Sequence, residues 1–363
     1  MPPERDWAAL AHDIKTWSRE YGFQDLRITD TDVSLEATQL KQWIELGYHG
    51  EMAFLTRSLD QRMHPETLVP GTLRVLMVRM NYLPPTPNIP ATRRDKKKAY
   101  IARYAVGGDY HTLIRKRLAK LTQRISEAVG EHPHRVFSDS APVMEGALAA
   151  KAGLGWRGKN TLVLNREAGS YFFLGTVYTS LPLPVDTEMP ENKCGSCTAC
   201  LIACPTQALV APYVLNATRC ISYLTIELRG SIPLELRPLI GNRVYGCDEC
   251  QARCPWNRFA TTTGEEHFHA RHHLDAATLI ELFLWEEATF ELNTRGSAIR
   301  RIGYACWLRN MAIGLGNAPY DAEALSTLRS RENHPSELVR EHVAWAIQEQ
   351  LRKQATLASS TIS

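Results

Sequence analysis

The 363-residue sequence lacks any run of 18 apolar residues, and its first residues lack a basic stretch followed by an apolar core. Its most apolar segment, SYFFLGTVYTSLPLPV, is interrupted by prolines and polar residues. A membrane-spanning helix needs about 20 mostly apolar residues, and a secretory signal needs an apolar core after a basic start. We therefore expect a cytoplasmic protein that neither crosses a membrane nor is exported.

The sequence also has little excess of charge of either sign. Its 42 lysines and arginines face 39 aspartates and glutamates, which gives a formal net charge of +3. Such a balance does not by itself indicate a nucleic acid or membrane partner. The composition, 44% hydrophobic and 22% charged, excludes a disordered or fibrous chain, and the length predicts two or three domains.

Hydrophobic patterning predicts an α+β multidomain protein. Helical and strand-like segments alternate over residues 1–185, which we interpret as an α/β domain ended by the proline-rich SLPLPVDTEMPENK. Residues 186–272 contain the cysteine window. Residues 273–353 carry only helical periodicity, in pairs that resemble HEAT repeats and that must pack on the rest of the chain. Residues 354–363 have little to bury, and we expect a frayed tail.

Cysteine is scarce outside one window, because eight of the nine cysteines lie between Cys194 and Cys254. Disulfide scaffolds are usually short and secreted, so this window indicates metal or redox chemistry instead. The remaining Cys306 lies in a helix-patterned segment, where we expect a buried, inert side chain.

Two runs in the window, CGSCTACLIACP and CDECQARCP, have ferredoxin-like spacing. The first is the CxxCxxCxxxCP run of two-cluster ferredoxins, whose fourth cysteine ligates the other cluster. The second run supplies three cysteines, and Cys220 is the obvious fourth. Zinc is the alternative, because CxxC pairs also form zinc ribbons. The predicted 4Fe-4S ligand sets are Cys194, Cys197, Cys200 and Cys254 for one cluster, and Cys204, Cys220, Cys247 and Cys250 for the other.

Three further motifs allow more than one interpretation. GLGWRG matches GxGxxG, but it follows a helix-like segment and precedes a strand-like one, so we reject a dinucleotide site. DYHTLI, with Asp109 and His111, resembles the DxHxxG box of one class of cobalamin proteins, although Ile114 replaces the glycine. We interpret His111 as a helix-start residue. Asp139 follows a strand-like segment and could face a ligand or cap a helix, and these residues alone favour the cap.

Two segments are locally basic. Eleven lysines and arginines face two acids between Arg93 and Arg124, and no acid lies among Arg295, Arg300, Arg301 and Arg309. Either segment could be an ordinary solvated face. Together they predict a polyanionic partner such as structured RNA.

Several segments together resemble the epoxyqueuosine reductase family, in the expected order from about residue 40 to residue 350. They are RYAVGGDYH, DSAPVMEGALAAKAGLGWRGKNTLVLN, CGSCTACLIACPTQA, RCISYLTIELRG, GNRVYGCDECQARCPWNRF and SAIRRIGYACWLRNMAIGLGN. The resemblance implies a cobalamin-dependent iron-sulfur enzyme that converts epoxyqueuosine to queuosine at the wobble position of tRNA. It implies a nitroreductase-like α/β domain, a ferredoxin-like domain and a HEAT-like helical tail. Base-off cobalamin would lie between the first two, in agreement with the broken DxHxxG box.

The resemblance also implies roles for particular residues. Asp139 in DSAP becomes the proton donor, which reverses the preference for a cap. Ser222 and Tyr223 are expected to face the corrin. An unidentified electron donor and a monomeric enzyme are further expectations. The weaker candidates for the cobalamin cavity are Arg57, Arg103, Lys159, Asn160 and Thr161, and the expected tRNA phosphate contacts are Arg300, Arg301 and Arg309.

Three other functions compete with this one. A reductive dehalogenase-like enzyme is disfavoured by the missing twin-arginine signal and by the basic helical tail. A zinc-bearing tRNA-binding protein would lack iron. A plain electron carrier has little use for an α/β domain of this size.

Overall fold

The computed structural model describes residues 5–85 and 89–360. Its N-terminal region alternates helices with strands. Four of the strands form one sheet in the order β1-β2-β7-β4, and every neighbouring pair is antiparallel. The elements of this region are α1 (Trp7–Glu20), β1 (Asp25–Thr29), α2 (Ser34–Glu45), α3 (Ala53–Arg57), α4 (Leu59–Met63), α5 (Pro65–Leu68), β2 (Arg74–Asn81), α6 (Ile89–Arg94), β3 (Tyr100–Ile101), α7 (Tyr110–Val129), β4 (His134–Phe137), α8 (Glu145–Lys151), β5 (Trp156–Arg157), β6 (Val163–Leu164) and β7 (Phe172–Thr179).

Helices cover both faces of this sheet. Alternate side chains of a strand point to opposite faces. On β2, Leu76 and Val78 accordingly pack with α1 and α7, whereas Val75 and Met77 pack with α8. Because α7 and β4 are joined by a short turn and run in opposite directions, the start of α7 and the end of β4 lie at the same edge of the layer.

The GLGWRG segment forms a tight hairpin and not a phosphate loop. β5 follows its first glycines and pairs with β6 in antiparallel orientation. Gly153 adopts φ +85°, and a Cβ on Gly155 would collide with the carbonyl oxygen of Leu164. The glycines therefore permit close backbone packing, and the segment is not the dinucleotide-binding turn that the GxGxxG match suggested.

The cysteine region consists of short elements. They are α9 (Ala199–Ala203), β8 (Leu209–Ala211), β9 (Val214–Leu215), α10 (Ile221–Ile226), α11 (Arg237–Ile240), β10 (Arg243–Tyr245) and α12 (Glu249–Ala252). β10 pairs in parallel with β3 of the N-terminal region. The two regions are therefore joined by backbone hydrogen bonds as well as by side-chain packing.

The C-terminal region is helical and contains α13 (Leu279–Phe283), α14 (Glu287–Asn293), α15 (Gly303–Asn317), α16 (Ala322–Arg329) and α17 (Glu337–Ser360). Its core includes Ile101 of β3 and Val244 of β10, so the helices pack on the rest of the chain as expected. Cys306 is buried, as predicted. No helix in the described part of the chain is both long and apolar enough to cross a membrane.

The C-terminal end differs from the prediction of a frayed tail over residues 354–363. α17 continues through Ser360, and residues 361–363 lie outside the described part of the chain. The side chains of 354–360 are exposed, so burial does not hold this segment. Alanine, leucine and glutamine are good helix formers, and they extend a helix already nucleated by its packed first turns.

Candidate active site and cysteine centres

Asp139 lies in the loop that follows β4, at the edge where α7 begins. It adopts φ +60°, in the left-handed region, and its side chain is 61% exposed. Ser138 anchors the start of the loop, because its hydroxyl donates to the carbonyl of Leu174 at 3.1 Å. The backbone N–H of Asp139 donates to Glu145 Oε2 at 2.9 Å. The loop thus exposes the carboxyl of Asp139, while the hydrogen bonds of Ser138 and of the Asp139 N–H hold the backbone in place.

The carboxyl of Asp139 is bonded by two residues at the start of α7. The hydroxyl of Tyr110 donates to Asp139 Oδ2, and His111 Nε2 lies 3.0 Å from the same oxygen. The other ring nitrogen of His111 lies 2.6 Å from Oδ1 of Asp109, the residue that caps α7. An Asp109–His111–Asp139 chain therefore reaches from the helix cap to the exposed carboxyl.

Arg301 of the C-terminal region completes this group. Its Nη1 lies 3.1 Å from His111 Nε2, and its Nη2 donates to Asp109 Oδ2 at 3.2 Å. Arg301, which was predicted to contact a tRNA phosphate, therefore belongs to this group. We define the acid centre as Asp109, Tyr110, His111, Asp139, Glu145 and Arg301.

The pKa values of the acid centre are shifted in different directions. Burial alone would lower the pKa of His111, but its bonds to Asp109 and Asp139 raise it above the usual value. Burial would raise the pKa of Asp139, but the bonds from His111 and Tyr110 lower it. The proton that the two groups share consequently favours the imidazole at rest.

The flanking acids also differ. Burial opposes ionisation of Asp109, yet the bond and charge of His111 and the charge of Arg301 lower its pKa to about 2. Burial and the charge of Asp139 raise the pKa of Glu145 to about 8. At neutral pH the centre thus combines one firmly ionised cap, Asp109, with a largely neutral carboxyl, Glu145.

The structure brings together the four cysteines of each predicted set. Cys194, Cys197, Cys200 and Cys254 line one cavity of about 230 Å³. In the other set, burial and then the charges of Cys247, Cys220 and Cys204, followed by that of Cys200 from the first set, raise the pKa of Cys250. Cys254 of the second run therefore lies with three cysteines of the first run, and the division into two ligand sets stays a prediction.

Lys159, Asn160 and Thr161 lie against the cysteine loops. Lys159 Nζ donates to the carbonyls of Gly195 and Cys197 at 2.6 and 2.9 Å. Asn160 lines the first cysteine cavity, and Thr161 adopts φ +70°. Lys159 thus contacts the loop of the first cysteine set, whereas the side-chain amide of Asn160 also donates to the carbonyl of Cys250, of the second set, at 3.5 Å.

The other predicted cofactor residues are spread around the cysteine region. Tyr223 is buried on α10, and its hydroxyl accepts the backbone N–H of Glu51 at 2.8 Å. Ser222 precedes it and is partly buried, whereas Arg57 is exposed at the end of α3. Arg103 is only 1% exposed, and its backbone N–H donates to Asp248 Oδ2 at 2.8 Å.

The prediction that Arg309 contacts a tRNA phosphate is wrong. Arg309 is fully buried within α15, and its guanidinium donates to the carbonyls of Leu228, Gly230 and Leu224 at 2.8 to 2.9 Å. It ties α15 to the cysteine region. Arg300 is half-exposed and pairs with Glu291.

Two family models and a close relative match the chain. The model described as Epoxyqueuosine reductase QueG, DUF1730, matches residues 62–140, and a 4Fe-4S double cluster binding domain matches residues 193–257. The epoxyqueuosine reductase of Pseudomonas aeruginosa is 57% identical over 346 residues, which cover 95% of each chain. This chain belongs to the epoxyqueuosine reductase family.

Solved epoxyqueuosine reductases share its fold. One, in complex with an epoxyqueuosine-modified tRNA-Tyr stem loop, has a TM-score of 0.86 and 29% identity, and the match covers 94% of this chain and 90% of that one. The Bacillus subtilis enzyme, with its catalytic aspartate loop swung out of the active site, has a TM-score of 0.85, 29% identity and the same coverage. The double-cluster match also favours iron-sulfur clusters over the zinc alternative.

Sequence reasoning missed part of the acid centre of this epoxyqueuosine reductase family member. The sequence does not predict a role for Tyr110 or Glu145, and it predicts His111 only as a helix-start residue. The available signal was the segment RYAVGGDYH, which carries the family resemblance and ends in both α7 residues. Nothing local connects that segment with Arg301, which is 190 residues from His111 along the chain.

Proposed function

We propose that this chain reduces epoxyqueuosine to queuosine at the wobble position of tRNA anticodons, the last step of queuosine biosynthesis. Family membership supports this activity, as does the related enzyme solved with an epoxyqueuosine-modified tRNA stem loop. The observation that carries the proposal is Asp139, which is open on one side and hydrogen-bonded to Tyr110 and His111 on the other. We infer that the enzyme is a cytoplasmic monomer, and we assign its outer regions to nitroreductase-like and HEAT-like folds.

Eight cysteines would hold two 4Fe-4S clusters. Four thiolates are the usual donor set of a cubane, and each predicted set supplies four cysteines that lie together. An electron donor that is not yet identified would deliver electrons to this region. When bound, the clusters supply single electrons at low potential, and base-off cobalamin supplies the strongly reducing centre that an epoxide requires.

Arg103 supports a cobalamin site between the N-terminal and cysteine regions. Its Nε, Nη1 and Nη2 are buried and have no hydrogen-bond partner among the described residues. An unpartnered buried guanidinium is unfavourable, and the amide groups at the rim of cobalamin would supply acceptors. The next residue, Tyr104, lies 6.1 Å from Tyr110, ring to ring, beside Asp139. The other residues that we assign to this cavity are Arg57, Asp139, Lys159, Asn160, Thr161, Ser222 and Tyr223.

The acid centre would supply the protons of the reaction. Conversion of the epoxide to the alkene takes two electrons and two protons and releases one water. As the carbon–oxygen bond breaks, the oxygen gains negative charge. The carboxyl of Asp139 is ionised at rest, so His111, whose pKa is raised, passes its proton across their 3.0 Å contact, and Asp139 delivers that proton to the oxygen from its open side. A second proton, taken up from solvent by the same route, completes the water. Asp109 orients the imidazole for this transfer, and Arg301 in turn donates to Asp109.

The outer face of α7 would contact tRNA. α7 begins at the acid centre, and Arg115, Lys116 and Lys120 are exposed along it. Phosphate contacts by such residues give binding that is sequence-independent and salt-dependent. Arg300, which is half-exposed beside Arg301, would extend this cationic surface. The epoxyqueuosine base would then be presented to Asp139.

The substitution Asp139→Asn tests the proposed function. The enzyme is purified without oxygen, with iron and cobalt measured per chain, and queuosine in the tRNA product is quantified. We expect Asp139→Asn to bind both cofactors and tRNA but to lose at least about 100-fold in turnover, because proton transfer contributes that much. Ser140→Ala, in the same exposed loop, is the matched control. Near-normal turnover by Asp139→Asn would refute its role as proton donor.

A further inference from the structure

Glu145 connects the Asp139 loop to the central sheet. It is the first residue of α8, six residues after Asp139. One carboxyl oxygen accepts the backbone N–H of Asp139 at 2.9 Å, and the other lies 3.1 Å from the hydroxyl oxygen of Thr176. Thr176 is fully buried in β7. A single side chain therefore ties the backbone of Asp139 to a buried strand of the central sheet.

The loop needs such a connection at this position. Asp139 adopts φ +60°, a backbone conformation in which the Cβ of an L-residue is crowded by its own carbonyl oxygen. On one side Ser138 is bonded to β7, and on the other Val143 is buried in the core. Between these anchors, the bond to Glu145 fixes the backbone of Asp139 itself. Without it the strained residue is free to relax to a commoner conformation and to turn its carboxyl away from His111.

We propose that Glu145 is a positioning residue that latches the Asp139 loop in its catalytic arrangement. The inference rests on the proposed role of Asp139 as proton donor. Both carboxyl oxygens of Glu145 are engaged by Asp139 N–H and Thr176, and neither contacts the carboxyl of Asp139, so Glu145 acts through the backbone of Asp139.

The alternative role for Glu145 is purely local. An acidic residue in the first turn of a helix interacts favourably with the helix dipole. This accounts for a glutamate at the start of α8 but not for bonds to residues on two other elements. Glu36 occupies the first turn of α2 and provides a comparison, since its substitution removes a dipole interaction only.

The chemical state of Glu145 suggests which substitution preserves the latch. Burial and the charge of Asp139 raise its pKa to about 8, so at neutral pH the group is mainly an uncharged carboxyl with one acceptor oxygen and one donor. Glutamine offers the same pair, with its carbonyl directed at the N–H of Asp139 and its amide at Thr176. Methionine has a similar length but offers no comparable acceptor.

The test compares Glu145→Gln, Glu145→Met and the control Glu36→Met in the enzyme loaded with both cofactors. We expect Glu145→Gln to keep kcat within about 3-fold, and Glu145→Met to lower kcat about 10- to 100-fold, which is less than or equal to the lower end of the roughly 100- to 10,000-fold that acid–base catalysis contributes. KM for the tRNA and the melting temperature are expected to stay near wild type in all three. Glu36→Met is expected to keep normal kcat.

Backbone hydrogen exchange over residues 138–143 provides the second readout and requires no turnover. We expect faster exchange in Glu145→Met and normal exchange in Glu145→Gln. Normal exchange and kcat in Glu145→Met would overturn the latch, and so would equal losses in the glutamine and methionine variants. Full turnover by Asp139→Asn would refute the proton donor, whereas faster exchange in Glu145→Met would still report the latch.

Discussion

The cysteine region and the acid centre are built on different principles. Eight of the nine cysteines lie within a window of 61 residues from Cys194 to Cys254, and their ferredoxin-like spacing predicts two sets of four. The acid centre combines a helix cap at Asp109, a loop at Asp139 and a residue of the C-terminal region, Arg301. The cysteine pattern is local in the sequence and can be recognised there, whereas the acid centre is assembled only when the protein folds.

The substitution with the largest expected effect tests the assignment of the cysteines to two clusters. We expect Cys254→Ala to abolish turnover and to lower iron from about eight to about four per chain, because Cys254 completes the first set across the two runs. Cys306→Ala, which removes the buried cysteine outside the window, is expected to retain all of its iron. Iron measured per chain after anaerobic purification checks both variants. Equal iron in the two would mean that the cross-run assignment is incorrect.

The second prediction concerns the arginines of the C-terminal region, which the sequence grouped together. Arg309→Leu leaves three buried carbonyls without a donor, and we expect it to lower the free energy of unfolding by about 2–4 kcal/mol. Arg300→Leu removes only a half-exposed ion pair, so we expect a change within about 0.5 kcal/mol. Denaturant titration of the apoprotein checks both values. Similar stabilities would contradict the buried role of Arg309.

The third prediction concerns the assembled centre. His111→Gln keeps a polar side chain but cannot hold the shared proton, and we expect turnover to fall about 10- to 100-fold. Because the pKa of His111 is raised, its stabilising charge is fully present below about pH 6.5, the ordinary histidine value, and is lost as pH rises through the raised pKa. Wild-type activity is therefore expected to decline above that pKa, with a flatter profile in His111→Gln. A pH–rate series at saturating tRNA checks this, and parallel profiles would contradict the relay.

The comparison also shows what the sequence could provide. Hydrophobic patterning indicated the buried elements, since β2 and the largely buried α15 are rich in apolar residues. The cysteine sets followed from spacing, because ligands of one cluster must converge. Arg309 was wrongly predicted to contact tRNA, because the absence of acidic residues near it in the sequence says nothing about whether its side chain is buried. Its neighbours Trp307, Leu308 and Met311 are completely buried, and this apolar setting was the better guide.

The acid centre could be predicted only in part. Asp139 came from the family resemblance, since the residues alone favoured a helix cap. Glu145 has two structural roles, because it is the first residue of α8 and also accepts the backbone N–H of Asp139. The contact between Arg301 and His111 depends on how the C-terminal helices pack on the N-terminal region. The two residues are 190 apart in the sequence, and such a long-range contact leaves no periodic pattern there.

The contact between Arg301 and His111 has a consequence for the order of events during synthesis. The ribosome completes the N-terminal sheet and both cysteine runs before residue 301 emerges. At that stage Asp109, His111 and Asp139 are all present, but Arg301, which donates to the aspartate that orients the imidazole, is still missing. Strand β3 likewise waits for β10, about 140 residues later, before it can pair. Proton-transfer competence is therefore acquired last, after the cysteine runs are already available to receive their metal.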